Sequence, residues 1–153
     1  MLENIPLRTE LYNKCLEYIE NRLNHIQSAM NAALESGNDE TKSSAGDKHE
    51  TARAMMQLEQ EKNANILAQT LELKKTLNKI NLYQQTDTAS IGNIVITNKE
   101  KFYISISAGK IIFDNEIYYA ISPLSPIALK LMGLKANQEF IYNEKLYLIL
   151  QIL

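Results

Sequence analysis

The chain has 153 residues, which is enough for one or two small domains. Its formal net charge of −2 argues against broad, charge-driven binding to nucleic acid, which needs a basic surface. No window approaches 18 consecutive apolar residues, and residues 1–6 lack the pattern of a secretory signal. Because Cys15 is the single cysteine, no internal disulfide can form. Together these features predict a cytoplasmic protein that does not associate with membranes.

The first half of the chain has the pattern of two long helices. Before residue 92, proline occurs only at position 6 and glycine only at positions 37 and 46. Two runs place residues in a three-four rhythm: Leu16, Ile19, Leu23, Ile26, Met30 and Ala33, then Met56, Glu59, Asn63, Ile66, Thr70, Leu73, Leu77 and Ile80. This rhythm predicts an antiparallel coiled-coil hairpin over residues 1–85. The two helices of the hairpin can bury each other's seam residues without a second chain, so we expect a monomer.

The connection between the two runs has the composition of a loop. Residues 36–46 are rich in serine, glycine, asparagine and aspartate. Gly37 is placed to end the first helix with a left-handed cap, and the second helix is predicted to begin near Ser44 or Asp47. We therefore predict a tip loop near residues 36–50.

Residues 86–153 have the pattern of a small antiparallel sheet with one helix, which makes the whole chain α+β. Strands are predicted at residues 91–97, 102–107, 110–121, 139–142 and 146–153, with hairpin turns at residues 108–110 and 143–145. The helix is predicted from Ser125 as its N-cap, Pro126 at its first position and Gly133 as its stop.

Asp47 and Glu50 are the candidate functional residues, and their spacing has two interpretations. An acidic pair three residues apart at a helix start is typical of a capping box, with Asp47 as N-cap and Glu50 reaching back to it. The same carboxylates, on neighbouring turns, can share a hard cation such as Mg²⁺. Two carboxylates alone make a weak metal site, so this interpretation needs ligands from elsewhere.

Other motifs of catalysis are missing from the sequence. His25 and His49 have no cysteine or second histidine at metal-binding spacing, and no glycine-rich phosphate loop or Ser-His-Asp arrangement is present. Tyrosines are frequent in the second half, at positions 103, 118, 119, 142 and 147, but their spacing alone defines no pocket.

Two separated segments carry a resemblance to a known family. The stretch Gly46-Asp47-Lys48-His49-Glu50-Thr51-Ala52-Arg53 resembles the tip segment of the bacterial Gre-type transcript cleavage factors. Residues 122–133, from Ser122 through Ser125-Pro126-Ile127 to Gly133, are similar to a segment of that family's FKBP-like C-terminal domain. Residues 146–152 resemble its final strand, so the similarity spans nearly the whole chain in the same order.

The resemblance implies a function that is exerted on another enzyme. Gre-type factors bind RNA polymerase and insert the coiled-coil tip into its secondary channel, next to the 3′ end of backtracked RNA. There, Asp47 and Glu50 would hold a second Mg²⁺ shared with the polymerase and position the water that cleaves the transcript. The chain would then be an activator of the polymerase's own nuclease activity and not itself an enzyme.

Differences from the family pattern keep two other functions open. Thr51, Arg53 and Ala54 stand where the family usually has asparagine, glutamate and tyrosine. A factor with these changes can occupy the secondary channel and regulate the polymerase without stimulating cleavage. The third hypothesis is a structural coiled-coil adaptor in which Asp47 and Glu50 only cap a helix.

Overall fold

A computed structural model describes residues 2–42 and 46–153 of the chain. After a 3-10 turn (Leu2–Asn4), the elements are α1 (Ile5–Lys42), α2 (Gly46–Asn78), β1 (Ile94–Thr97), β2 (Lys101–Ile104), β3 (Gly109–Phe113), β4 (Glu116–Ile121), α3 (Pro126–Leu131), β5 (Glu139–Tyr142) and β6 (Lys145–Ile152). The predicted α+β class, with two long N-terminal helices before a sheet and a short helix, is confirmed. Among the described residues, no helix combines the length and apolar character needed to cross a membrane.

The chain groups into two compact units. Residues 19–74 form the helical unit, and residues 1–18 with 75–153 form the sheet unit. Both long helices therefore contribute residues to both units. The predicted domain boundary between residues 85 and 86 is not tested by this grouping and stays a prediction.

The helical unit buries residues at the spacing of a coiled coil. Ile19 and Ile26 are buried seven residues apart on α1, and Asn63 and Thr70 are buried seven residues apart on α2. The other predicted seam positions within residues 19–74 are half-buried, apart from the exposed Glu59. The Thr70 hydroxyl donates a hydrogen bond of 2.7 Å to the carbonyl of Ile66, which satisfies it inside the seam.

The two long helices extend further toward each other along the sequence than predicted. Helix α1 continues through Gly37 to Lys42, so the predicted helix end at Gly37 is wrong. Within the predicted tip loop near residues 36–50, residues 36–42 and 46–50 are helical, and residues 43–45 lie outside the described residues. A glycine inside a helix costs only about 1 kcal/mol relative to alanine. Because residues 38–42 contain no proline, nothing in them forces the helix to stop.

The six strands form one mixed sheet in the order β3-β4-β2-β1-β6-β5, which differs from the predicted antiparallel sheet in the parallel pairing of β2 with β4. β4 lies between β2 and β3, and it pairs in parallel with β2 and antiparallel with β3. The predicted strand 110–121 is in fact these two strands, β3 and β4, joined by a hairpin turn.

Positive backbone angles locate the hairpin turns. Asp114 and Asn115 have φ of 52° and 62°, and Asn143 and Glu144 have φ of 49° and 63°. Two consecutive residues with positive φ match the right-handed twist of the flanking strands. The predicted turn at residues 143–145 is confirmed. The predicted hairpin at residues 108–110 is wrong, because Gly109 begins β3 instead.

Each face of the sheet is covered by a helix of the sheet unit. On one face, which carries Tyr103 and Ser105, the thiol of Cys15 on α1 lies 3.4 Å from the Ser105 hydroxyl. On the opposite face, Leu131 of α3 packs into the core cluster of Ala89, Val95, Phe102, Ile104, Phe140, Tyr147 and Ile149. We call these the α1 face and the α3 face.

Helix α3 has the predicted boundaries. Ser125 is its N-cap and accepts a hydrogen bond of 3.4 Å from the amide of Ala128, and Pro126 is at the first helical position. Gly133 follows the helix with φ of 83°, a conformation that other residues adopt only with strain.

Arg8 connects the start of α1 to the segment that leads into the sheet. Its side chain is buried, and Nη1 donates hydrogen bonds to the carbonyls of Leu82 (3.1 Å) and Gln84 (2.5 Å). Desolvation by burial lowers the pKa of the guanidinium.

We expect Arg8→Met to destabilise the protein by about 1–3 kcal/mol, because two partly buried carbonyls lose a charged donor. The free energy of unfolding, measured by denaturant titration, gives the value. Lys62→Met, at an exposed cation of α2 outside the sheet unit, is the control and should change it by less than about 1 kcal/mol. Equal effects of the two substitutions would contradict the role assigned to Arg8.

Replacement of Asn63 is predicted to stabilise the protein, in contrast to replacement of Arg8. It is buried in the helical seam, and its Nδ2 has no hydrogen-bond partner among the described residues. Because an unpaired buried amide costs free energy, Asn63→Leu should raise the free energy of unfolding by about 1–2 kcal/mol. The same substitution at the exposed Asn65 is the control. A loss of stability in Asn63→Leu would show that the amide makes a necessary contact.

Candidate functional site

Asp47 and Glu50 lie at the beginning of α2, which only three residues separate from the end of α1. They are the second and fifth residues of this helix, which begins at Gly46. The side chain of Asp47 lies outside the described residues, whereas the side chain of Glu50 is exposed. A helical backbone through both positions places them on neighbouring turns of one helix face.

The start of α2 bears on the capping interpretation. A capping box with Asp47 as N-cap requires a helix that starts after Asp47, but α2 already includes Gly46. Asp47 is therefore a first-turn residue. A carboxylate in the first turn is still favoured by the helix dipole.

Glu50 borders an open cavity on the surface of the helical unit. The cavity has a volume of about 590 Å³, and its lining includes Arg53, Gln57 and Gln60 from the following turns of α2. A carboxylate, a guanidinium and two amides give the cavity a polar wall without a net charge. Arg53 follows Glu50 at the same three-residue spacing that separates Asp47 from Glu50.

Within the part of the chain that the structure describes, no three or more histidine, cysteine, aspartate or glutamate side chains are grouped so that they could hold a metal ion. His25 is exposed, and the side chain of His49 lies outside the described residues. The predicted Mg²⁺ ligands, Asp47 and Glu50, therefore stay a prediction that depends on ligands from a partner.

The numerous tyrosines separate onto the two faces of the sheet. Tyr103 pairs with Ala120 in the parallel β2–β4 register, so Tyr103 and Tyr118 lie on the α1 face. Tyr119 pairs with Phe102 and lies on the α3 face, where it lines a cleft with Tyr142 and Tyr147. The sequence did not predict this cleft, because the parallel pairing that aligns Phe102 with Tyr119 depends on the missed turn at residues 114–115.

A buried polar cluster lies beneath α1 on the opposite face. Burial raises the pKa of the Cys15 thiol to about 11, and the nearby Ser105 hydroxyl lowers it only in part. Burial also raises the pKa of Tyr103 far above its usual range, with smaller contributions from Cys15 and Tyr12. Both groups are protonated at neutral pH, so Cys15 acts as a packing residue and not as a nucleophile.

By fold, the chain combines a unit of two long helices with a six-stranded mixed sheet that carries one short helix. No protein-family model matches it, and no curated protein matches it. It is similar to a crystal structure of GreA factor homolog 1 (Gfh1) from Thermus thermophilus, with 15% identity, a TM-score of 0.37, and coverage of 92% of this chain and 93% of that one. A second structure, of the transcription factor Gfh1, has 15% identity, a TM-score of 0.35 and 92% coverage of both chains. A likeness at this level assigns the chain to no family.

Cys15 predicts a dependence of stability on pH. Its pKa rises from an ordinary value of 9.0 to about 11 in the folded protein, so the folded state binds the proton more tightly. The resulting stabilisation is complete below pH 9 and is lost as the pH rises through 11. Its size is about 2–3 kcal/mol.

Cys15→Ser tests whether the thiol causes this pH dependence, because serine has a similar shape and does not titrate in this range. Denaturant titrations at about pH 8 and about pH 10.5, on either side of the ordinary thiol pKa, should show a smaller loss of stability for the variant than for the unchanged protein. The same loss in both proteins would exclude the thiol as the source.

Proposed function

We propose that the chain is a Gre-like transcription factor that binds RNA polymerase in the cytoplasm and stimulates cleavage of backtracked RNA. The observation that carries this proposal is the start of α2 at Gly46, which places Asp47 and Glu50 in the first turns of a long helix. The resemblance of residues 46–53 and 122–133 to Gre-type segments supports the same function.

The length of the helices suits a reach into a partner. Helix α2 has 33 residues, which corresponds to about 50 Å at 1.5 Å per residue. Within the helical unit, the acidic pair lies in the first turns of α2, and only three residues separate this helix from the end of α1. Carboxylates near the end of a long helix can reach a site on another molecule.

The chemistry of the pair supports a shared magnesium site. Mg²⁺ prefers oxygen ligands and is commonly bound by one or two carboxylates together with ligands from the substrate. Asp47 and Glu50 would supply the two carboxylates, and the polymerase and the RNA phosphate the remaining ligands. When bound there, Mg²⁺ stabilises the charge that develops in an in-line displacement at phosphorus. The factor itself then needs no complete catalytic centre.

Arg53 favours a second candidate function. Its side chain lines the same cavity as Glu50, one helical turn away, where a guanidinium can neutralise the carboxylate. A neutralised pair binds Mg²⁺ weakly. The chain would then regulate the polymerase by occupying its secondary channel, without stimulating cleavage.

The test is a backtracked bacterial elongation complex incubated with the protein and Mg²⁺, with the RNA length followed over time. Glu50→Ala and Asp47→Ala should each slow shortening at least about tenfold, equal to ~1.4 kcal/mol of lost transition-state stabilisation. Glu61→Ala, which removes an exposed carboxylate further along α2, is the matched control and should cleave at the unchanged rate.

Other outcomes separate the alternatives. Binding to the polymerase with altered elongation, but without shortening, would identify the non-cleaving regulator. The absence of any binding would leave the structural adaptor. Thermal unfolding of the alanine variants distinguishes loss of a cap, which lowers stability by about 0.5–2 kcal/mol, from loss of a metal ligand, which leaves it nearly unchanged.

A further inference from the structure

Strand β5 forms an open edge of the sheet. In the sheet that the described residues build, β5 is the last strand and pairs on one side with β6. The carbonyl of Gln138, directly before β5, accepts a hydrogen bond of 2.9 Å from the amide of Ile149 on β6. Because the backbone groups of successive residues point to alternate sides of a strand, the N–H and C=O groups of Glu139 and Ile141 point away from β6.

This edge lacks the features that commonly keep edge strands from pairing. Residues 139–142 contain neither proline nor lysine, and the β5–β6 register continues without a shift from Glu139 to Tyr142. Strand β3, at the opposite edge of the sheet, carries Lys110. Proline, lysine and bulges are what natural proteins use against edge-to-edge association, so β5 is the edge that is open to a further strand.

Aliphatic side chains are exposed along the same edge. Ile141 is 63% exposed, and its cross-strand neighbour Leu146 is 52% exposed. Because Phe140 and Tyr147 belong to the core cluster on the α3 face, strand alternation places Ile141 and Leu146 on the α1 face. An edge strand with an exposed apolar side chain at its centre favours contact with another apolar strand.

The sequence of the edge is self-complementary about Ile141. The aromatic residues Phe140 and Tyr142 flank it, and Glu139 and Asn143 stand one position further out. An antiparallel pair of such strands, related by a two-fold axis at Ile141, sets each Phe140 opposite Tyr142 of the second copy. The two Ile141 residues then face each other and exchange two backbone hydrogen bonds, which matches the direction of their N–H and C=O groups.

The charges are compatible with the same register. Each Glu139 lies opposite Asn143 of the second copy, so no like charges are opposed across the two strands. Aromatic and aliphatic cross-strand pairs each stabilise a sheet. On the α1 face, Leu146 and Ile141 of one copy continue into Ile141 and Leu146 of the other, in one apolar row across four strands.

We infer that β5 pairs with β5 of a second copy of this chain, antiparallel and centred on Ile141, to form a two-fold dimer. The second copy is the occupant because one strand supplies both members of every complementary pair, as an isologous interface requires. The seam of the helices, from which we expect a monomer, does not use this edge. The inference is independent of the role proposed for Asp47 and Glu50.

The short strand sets the strength of the dimer. β5 has four residues, so the interface is smaller than the standard of about 1,600 Å², and a dissociation constant on the order of 0.1 mM is expected. Sedimentation equilibrium of the full chain, from about 10 μM to about 1 mM, covers this range. The average mass should rise with concentration from 17.4 kDa towards twice that value.

Ile141→Lys should weaken the association about fivefold or more, because it removes an aliphatic pair and opposes two like charges at the centre of the edge. Ile112→Lys is the matched control. Ile112 is 60% exposed on β3, the other edge strand, so its replacement should leave the association unchanged. A constant mass of one chain up to about 1 mM would overturn the inference, as would a dimer that only Ile112→Lys weakens.

Oxidation of cysteine variants tests the register. Ile141→Cys should form a disulfide-linked dimer, because the Cα atoms of such an opposed pair are about 5.5 Å apart, within the range of a disulfide. Glu139→Cys should not, because its two copies lie about 14 Å apart, four residues along the strand. The unchanged chain, in which Cys15 is buried, gives the background. A linked dimer of Glu139→Cys, but not of Ile141→Cys, would overturn the pairing centred on Ile141.

Discussion

The packing of the first turns of α1 against the sheet is the constraint on which the sheet unit depends. Leu11 and Cys15 are fully buried there, and Arg8 supplies the donor for two carbonyls of the segment between α2 and β1. α1 then continues as a single helix to Lys42. The same helix, α1, therefore contributes its first turns to the sheet unit and its remaining turns to the helical unit.

The sequence predicted the helical seam well because burial at a seven-residue spacing leaves a direct pattern in the chain. Ile19, Ile26, Asn63 and Thr70 are buried where that spacing placed them. The end of α1 could not be predicted in the same way, because the polar composition after Gly37 is compatible with both a loop and an exposed helix. Composition is a weaker constraint than periodicity when no proline is present.

The strand order of the sheet, unlike the helical seam, could not be predicted from local sequence patterns. Asp114-Asn115 supplies a turn with positive φ at both residues, but it interrupts a run of strand-forming residues that reads as one strand. Because that turn was not predicted, β3 was not recognised as a separate strand. The parallel β2–β4 pairing and the alignment of Phe102 with Tyr119 then could not be predicted either. The aromatic cleft follows from long-range pairing, so local patterns alone did not reveal it. The acidic pair, in contrast, was apparent from the sequence because its two residues are neighbours on one helix.

We propose that Asp47 and Glu50 contribute ligands to a magnesium site completed by RNA polymerase. The most direct measurement is the Mg²⁺ concentration that gives half-maximal RNA shortening by a backtracked elongation complex, with and without the protein. If Asp47 and Glu50 hold the shared Mg²⁺, the protein should lower this concentration. Glu50→Gln should then abolish the change while polymerase binding persists. A half-maximal concentration that is the same with the protein, without it and with the variant would contradict the account.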